Sequence, residues 1–257
     1  MSGLAACVVT HTRWVIIREC WFGPSASDAI ADVQLMRQWP AGDWKGNATP
    51  KHTLLIQLNM PTEQIQATFK KDAQYEIRRA QTKDGLVFEL MQSPGPSELN
   101  QFSDFFDGFA LQKSLSPVDR SYLQAAADAG CLKLTCVKRG EQVLVWHSYI
   151  LVGERVRLLH SASQFREHQA EAGFRSLVGR ANRWLHWQDM QAFASHGVAS
   201  YDFGGWYAGC EDKEKLRINA FKEEFGGKPI QEFEGQIALT LKGKLYLWLR
   251  GLRSKGG

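Results

Sequence analysis

The chain has 257 residues, 44 % of them hydrophobic, which suffices for one large core or two small ones and argues against disorder. Its net charge is only +4, with basic and acidic residues interspersed, so no block of charge marks a nucleic-acid arm and no DNA partner is expected. No apolar run approaches the roughly 20 residues of a membrane-spanning helix, and the five cysteines, Cys7, Cys20, Cys131, Cys136 and Cys210, form no C-x-x-C pair, so a reduced, cytoplasmic protein is expected.

The stretch Ala5 to Ile17 is interrupted by Thr10, His11, Thr12 and Arg13 and lacks the basic start of a signal peptide. Apolar stretches Cys7 to Ile17 and Ile30 to Trp39 flank the turn-prone Gly23-Pro24-Ser25, and a second loop runs from Pro40 to Pro50. A short strand is expected over Thr53 to Leu58, then one helix opened by Pro61, whose fixed φ suits a first helical position, and closed by Gly85. Ile65, Phe69, Ala73, Ile77 and Ala80, spaced by three or four, form its buried face; Lys70, Lys71, Arg78, Arg79 and Lys83 make the other side basic. Pro94 and Pro96, within Ser93 to Ser97, cannot continue either neighbouring element and set a boundary there. Two helices follow. Leu99, Phe102, Phe106 and Phe109 share a face of the first; Ser116 caps the second, which has Pro117 in its first turn and ends before Gly130.

From Cys131 the texture becomes β-rich. The runs Leu132 to Val137, Val143 to Val152 and Val156 to Ser161, joined at Arg139-Gly140 and Gly153-Glu154, spell an antiparallel meander. A long helix over Phe174 to Ser195 stops at Gly197, followed by a strand over Ala199 to Phe203, a helix over Lys215 to Phe225 and a further strand within Pro229 to Leu241. Two helices, a meander, a helix, a strand, a helix and final strands are the element order of the α+β GNAT fold.

Three motifs are more specific than element order. Tyr201-Asp202-Phe203-Gly204-Gly205, then Ile218-Asn219-Ala220-Phe221-Lys222-Glu223-Glu224-Phe225-Gly226-Gly227, resembles the C-terminal signature of the FemAB-type peptidoglycan aminoacyltransferases. Tyr75-Glu76-Ile77-Arg78-Arg79-Ala80 resembles the Ile-Arg-Lys-Ala-like helix segment of that family, and Leu185-His186-Trp187 is a third likeness. The resemblance implies a GNAT fold with a C-terminal acyltransferase domain over 97–257 and an abbreviated N-terminal GNAT-like half over 1–96. It implies transfer of an acyl or aminoacyl group to an amine of a nucleotide- or lipid-linked cell-envelope precursor, a peptidoglycan stem peptide or a surface-polysaccharide amino sugar. The donor co-substrate is aminoacyl-tRNA or acyl-CoA, with no other cofactor bound. The stretch Ser161 to Gly179 has only Gly173 and Gly179, so it lacks the glycine-rich loop that cradles a CoA pyrophosphate in acetyl-CoA-dependent GNAT enzymes.

Acyl transfer to an amine needs a channel for both substrates, a donor aimed at the developing oxyanion and a proton acceptor. The resemblance places Lys222 at the reaction centre as the oxyanion donor, with Phe221 and Trp206 beside it as substrate contacts; by spacing alone Lys222 is a solvated lysine next to two buried rings. Asp202 alternates with Tyr201 and Phe203, so its carboxylate points away from both rings. It can orient the substrate amine or take its proton, or else cap the Gly204-Gly205 turn. Tyr201 and the strand-end Ser161 and Ser163 are further substrate contacts, and Arg78 is a phosphate contact unless it belongs to a solvated helix face. His147, His160 and His186 show no metal-ligand spacing, so no metal is expected.

Lys244 to Lys255 interleaves leucines, Tyr246 and Trp248 with basic residues; it reads as a last strand with a basic tail or as a peripheral contact with the inner face of a membrane. Three rival readings stay open: a GNAT acetyltransferase using acyl-CoA on an amino-sugar nucleotide or small metabolite, an RNA-binding module, and a catalytically silent scaffold.

Overall fold

A computed structural model describes residues 7–12, 14–24, 30–40, 48–164 and 172–253. Ser25, most of the loop from Pro40 to Pro50, residues 165–171 of the Ser161 to Gly179 stretch, and the last residues of the basic tail lie outside the described residues. In chain order the elements are β1 (Cys7–His11), β2 (Ile16–Trp21), β3 (Val33–Trp39), β4 (Ala48–Gln57), α1 (Thr62–Ala67), α2 (Lys71–Lys83), β5 (Leu86–Met91), α3 (Pro96–Gln112) and α4 (Arg120–Asp128). They continue with β6 (Leu132–Arg139), β7 (Gln142–Val152), β8 (Arg155–Ser163), α5 (Ala172–Ser195), β9 (Ser200–Trp206), α6 (Lys213–Glu223), β10 (Lys228–Ala238) and α7 (Leu241–Arg253).

Among the described residues, ten strands join one sheet in the order β1-β2-β3-β10-β4-β9-β8-β7-β6-β5. Neighbours are antiparallel except β2 with β3 and β8 with β9. The meander β6-β7-β8 forms as its turn residues predict, with Gly140 and Gly153 at positive φ. The halves on either side of residue 96 are woven together: β4 lies between β10 and β9, and β5 pairs with β6 from Leu86↔Arg139 to Met91↔Leu134.

One sheet face is covered by α2 and α5. Ile65, Phe69, Ala73, Ile77 and Ala80 are all buried there with Leu177, Leu185, Tyr201, Phe203 and Phe225, as the three-and-four spacing requires. The other face carries α3 and α4, where Phe102 and Phe106 meet Trp146 and Leu134, and Trp21 of β2 closes over the same cluster. Arg180 pairs with Asp84 at 2.6 Å, and Arg183 with Glu224 at 2.7 Å, tying α5 to the elements on either side.

Five features differ from the sequence expectation. The helix opened by Pro61 is broken into α1 and α2, because Lys70 adopts an extended ψ of 148° and gives its N–H to Glu224 O at 2.8 Å. The break brings Thr68 against Gly226, where a Cβ would sit 2.6 Å from Thr68 Oγ1. β5 follows Gly85 directly; its mixed Leu-Val-Phe-Glu-Leu-Met pattern carries no clean alternation. Asp119, not Ser116, caps α4, accepting from Tyr122 N at 3.0 Å. Gly204-Gly205 lies inside β9 as a bulge and not in a turn: Thr53 faces Gly205 while Leu55 faces Asp202. The segment after β10 is a helix, α7, and not a strand. Its period is 3.6: Tyr246 and Leu247 pack on Val15, Ile17 and Val33, while Leu241, Leu245, Trp248 and Leu249 remain exposed.

Candidate active site

The parallel pair β8 and β9 is hydrogen-bonded only over Arg155↔Ser200, Val156↔Tyr201 and Arg157↔Asp202. Beyond that the strands part, β8 staying with β7 as far as Ser163 and β9 with β4 as far as Trp206. The result is a slot between the diverging strand ends, at whose apex side chains take up the facing carbonyls: Leu158 O accepts from Arg157, and Gly204 O and Gly205 O from Lys222. The bulge in β9 makes the parting. Gly204 sits there at φ +69°, and a Cβ on it would lie 3.0 Å from Leu158 O and 3.4 Å from Arg157 Nη2, so only glycine lets β8 pass this closely.

Lys222 enters the slot from the last turn of α6, which Phe221 and Phe225 hold against His186 and Phe203. Its Nζ donates to Gly205 O at 2.5 Å and Gly204 O at 3.3 Å. An ammonium has three N–H bonds, so one is left over. Burial, followed by the nearby Arg157 guanidinium, brings Lys222 down to about 8, with Asp202 acting in the opposite sense.

Asp202 is fully buried on the opposite face from Tyr201 and Phe203. Its Oδ1 accepts from Thr53 Oγ1 and from Gly204 N at 2.7 Å, and its Oδ2 from Gln38 Nε2 at 2.9 Å and from Arg155 Nε and Nη2 at 3.1 and 2.5 Å. Arg155 continues to Glu232 at 2.6 Å. Five donors saturate the carboxylate, which leaves no lone pair for a substrate proton and makes Asp202 the anchor of the Gly204 bulge.

The other sequence candidates fall in several places. Tyr201 faces α5, its hydroxyl 2.8 Å from both Tyr149 OH and His186 Nδ1. Phe221 packs on His186 and under the Arg183 guanidinium. Ser161 and Ser163 lie on the diverging part of β8, and Trp206 ends β9, so these three border the slot. Arg78 is exposed on α2, in a shallow groove with Tyr75, Arg79, Thr82 and Lys83 that shares no residue with the slot.

Sequence reasoning missed Arg155, Arg157, Gln38, Thr53 and Glu232. A signal existed for two of them: Arg155-Val156-Arg157 places two cations, at i and i+2, on one face of a strand. Gln38, Thr53 and Glu232 reach the site from strands distant in sequence and left no local mark. A buried polar cluster was also not visible: His147 Nδ1 lies 2.8 Å from Asp189 Oδ2, His147 Nε2 3.0 Å from Asn182 Oδ1, and Tyr149 OH donates to Asp189 at 2.5 Å. His147, His186 and Asp189 are the residues that could hold a metal ion among those described, their ligand atoms lying within 4.8 Å of one another. Both nitrogens of His147 and Nδ1 of His186 are already engaged, so the set works as a hydrogen-bonded core network. Burial and the neighbouring His147 keep His186 well below the usual histidine range, hence neutral.

No family model matches the sequence, and comparison with curated proteins gives no match. Solved structures do match. The chain superposes on FemX with a TM-score of 0.63 at 14 % identity, over 96 % of this chain and 86 % of that one. The fold is that of FemX. L-PGS from Bacillus licheniformis is also similar, with a TM-score of 0.54 at 12 % identity over 95 % and 88 % of the two chains. So is the C-terminal DUF2156 domain of an Agrobacterium fabrum protein described as a lysylphosphatidylglycerol synthetase, at 0.51 and 13 % over 96 % and 88 %. At these identities the likeness to FemX is one of fold. With the meander, the parallel β8 and β9 that diverge, and α5 and α6 beside them, it is the α+β GNAT fold that the element order spells.

Proposed function

We propose that the protein is an acyltransferase that moves an acyl or aminoacyl group onto an amine of a cell-envelope precursor. The observation that carries this reading is the Lys222 ammonium, held in the slot by two backbone carbonyls with its third N–H unspent. The acceptor amine attacks the donor carbonyl carbon, the carbonyl oxygen becomes an oxyanion beside Lys222, and as the amide forms the C–O or C–S bond breaks, the proton lost by the amine passing to the departing ribose oxygen or thiolate. A half-buried cation suits that oxyanion better than a solvated one, because less water competes for it. Ser161, Ser163, Phe221 and Trp206 supply contacts along the slot, Tyr201 backs β9 from the α5 side, Asp202 fixes the bulge, and Arg78 meets phosphate groups of the donor or precursor.

The donor is aminoacyl-tRNA or acyl-CoA. Incubating the protein with charged tRNAs, acyl-CoAs and a precursor extract, and reading product masses, tests the reading. A gain requiring charged tRNA supports aminoacyl transfer, and a gain with acyl-CoA alone supports the thioester route. No gain with any donor would sink the enzyme reading.

A pH profile gives a second test. Lysine is charged below its pKa, so the ammonium is present below about pH 8 and lost above it. The transfer rate should therefore fall above about pH 8, and Lys222→Arg, whose guanidinium stays charged, should move that alkaline limb upward by more than one unit. An alkaline limb that stays in place in the arginine variant rules out Lys222 as its source.

Among the described residues no helix is long and apolar enough to cross a membrane. The peripheral contact is proposed for α7, whose exposed Leu241, Leu245, Trp248 and Leu249 adjoin Lys242, Lys244 and Arg250 with no acidic residue in the helix. Trp14 and Ile30, both exposed, lie just before β2 and β3, at the sheet edge where α7 begins beside Asp32. The protein should sediment with vesicles containing phosphatidylglycerol and less with pure phosphatidylcholine, and Trp248→Ser should weaken this several-fold. Equal recovery with and without vesicles would count against it.

A further inference from the structure

On the face of the sheet carrying α4, a cavity of about 320 Å³ adjoins the point where β8 and β9 part. Trp21, Arg37, Tyr122, Arg157, His160 and Glu234 line it, with contributions from β2, β3, β8, β10 and α4. Its charges are unequally spent. Arg37 is neutralised by Glu19 at 2.7 Å and Glu234 at 3.4 Å. Glu19 is further engaged by Trp21 Nε1 at 3.0 Å and Tyr122 OH at 2.5 Å, and Asp119 at the rim is used as the cap of α4.

Arg157 is the exception. Among the described residues it makes no ion pair: Nη1 donates to Leu158 O at 3.2 Å, the guanidinium lies 5.0 Å from the centre of the Trp21 ring, and Nε is buried without an acceptor. Arg155, two residues earlier on the same face of the same strand, is clamped by Asp202 and Glu232. One strand thus presents two arginines side by side, the first saturated and the second with most of its donors unspent. Leaving a buried donor unmatched is costly, and the planar guanidinium fork is shaped for two parallel bonds to an oxyanion group.

We infer that this cavity is an anion site for the acceptor, in which Arg157 grips a carboxylate or phosphate group and so presents the acceptor's amine to the slot. The inference rests on the acyl-transfer reading for the word acceptor, and on the cavity alone for the anion. The chemistry has two sources. A peptide precursor would bring a carboxylate, and a nucleotide- or lipid-linked one a phosphate. The Trp21 ring lies under the guanidinium, and His160, held down to about 4 by burial, is neutral and adds no competing charge.

Direct binding tests this apart from catalysis. Calorimetric titration of the whole protein with inorganic pyrophosphate, and separately with the dipeptide Ala-Ala, should show saturable binding of at least one; pyrophosphate alone indicates a phosphate-bearing acceptor, the dipeptide alone a carboxylate. Arg157→Gln should weaken that binding by tenfold or more. Arg157→Lys keeps the charge without the fork and should weaken it several-fold, which decides the matter if the glutamine variant melts early. Unaltered affinity in a folded variant, or no binding of either ligand at millimolar concentration, overturns the proposal. If transfer is found, Arg157→Lys should raise KM for the acceptor more than it lowers kcat. Binding through Arg157 in a protein that transfers nothing would leave this site standing and remove the enzymatic reading.

Discussion

Lys222→Met is expected to lower kcat by about 10²- to 10³-fold at saturating concentrations of both substrates, the usual loss when one oxyanion donor is removed. The argument is differential. The spare N–H of Lys222 meets a neutral carbonyl oxygen before reaction and a charged one during it, so KM should change far less than kcat. Methionine has similar length and apolar character, which keeps the packing between Phe221 and the slot, but it gives up the bonds to Gly204 O and Gly205 O. A melting curve therefore accompanies the kinetics, and Lys222→Arg, which can still donate, should recover part of the rate. An unaltered kcat in a folded methionine variant would remove Lys222 from the chemistry.

Asp202→Asn should cost about 3–5 kcal/mol of folding stability, the range for removing one partner of a buried ion pair. The carboxylate accepts five bonds, and an amide offers one oxygen and an NH2 group that would confront Arg155, Gln38 or the Gly204 N–H. Glu232 still neutralises Arg155, which places the expectation toward the lower end. Urea unfolding followed by tryptophan fluorescence measures the change. A loss under 1 kcal/mol would mean that the cluster is a loose surface arrangement despite its burial. Any loss of activity in this variant should track the loss of fold, since Asp202 holds the bulge and does not touch the proton.

Local signals carried most of the fold. The face Ile65, Phe69, Ala73, Ile77 and Ala80 was legible because helical spacing survives even where the helix itself breaks at Lys70. The meander was legible because Gly140 and Gly153 punctuate strands of strong β character. β5 was hidden by its even apolar texture, and α7 because dense leucines interleaved with lysines fit period 2 as well as 3.6 until a packing partner selects one. At the site, the resemblance carried by the Phe-Lys pair drew attention to Lys222, whereas the Tyr-Asp-Phe-Gly-Gly run read as a strand ending in a turn and hid the bulge. The role of Asp202 was not legible, since four of its five donors come from Gln38, Thr53 and Arg155, each more than 40 residues away in the chain. Long-range convergence of this kind leaves no periodicity to read.

The place of β10 in the sheet has a consequence for how the chain assembles. β1, β2 and β3 connect to the remaining strands through one ladder, that of β3 with β10, and β10 also completes β4. During synthesis the first three strands therefore wait nearly 200 residues for their neighbour, while β3 and β4 each hold an open edge rich in unpaired backbone groups. Such edges are the points where one nascent chain can pair with another, and contacts this remote close slowly because the intervening loop entropy must be overcome first. The wall that brings Trp21, Arg37 and Glu234 to the cavity is thus assembled late, after the Gly204 bulge and α6 have left the ribosome.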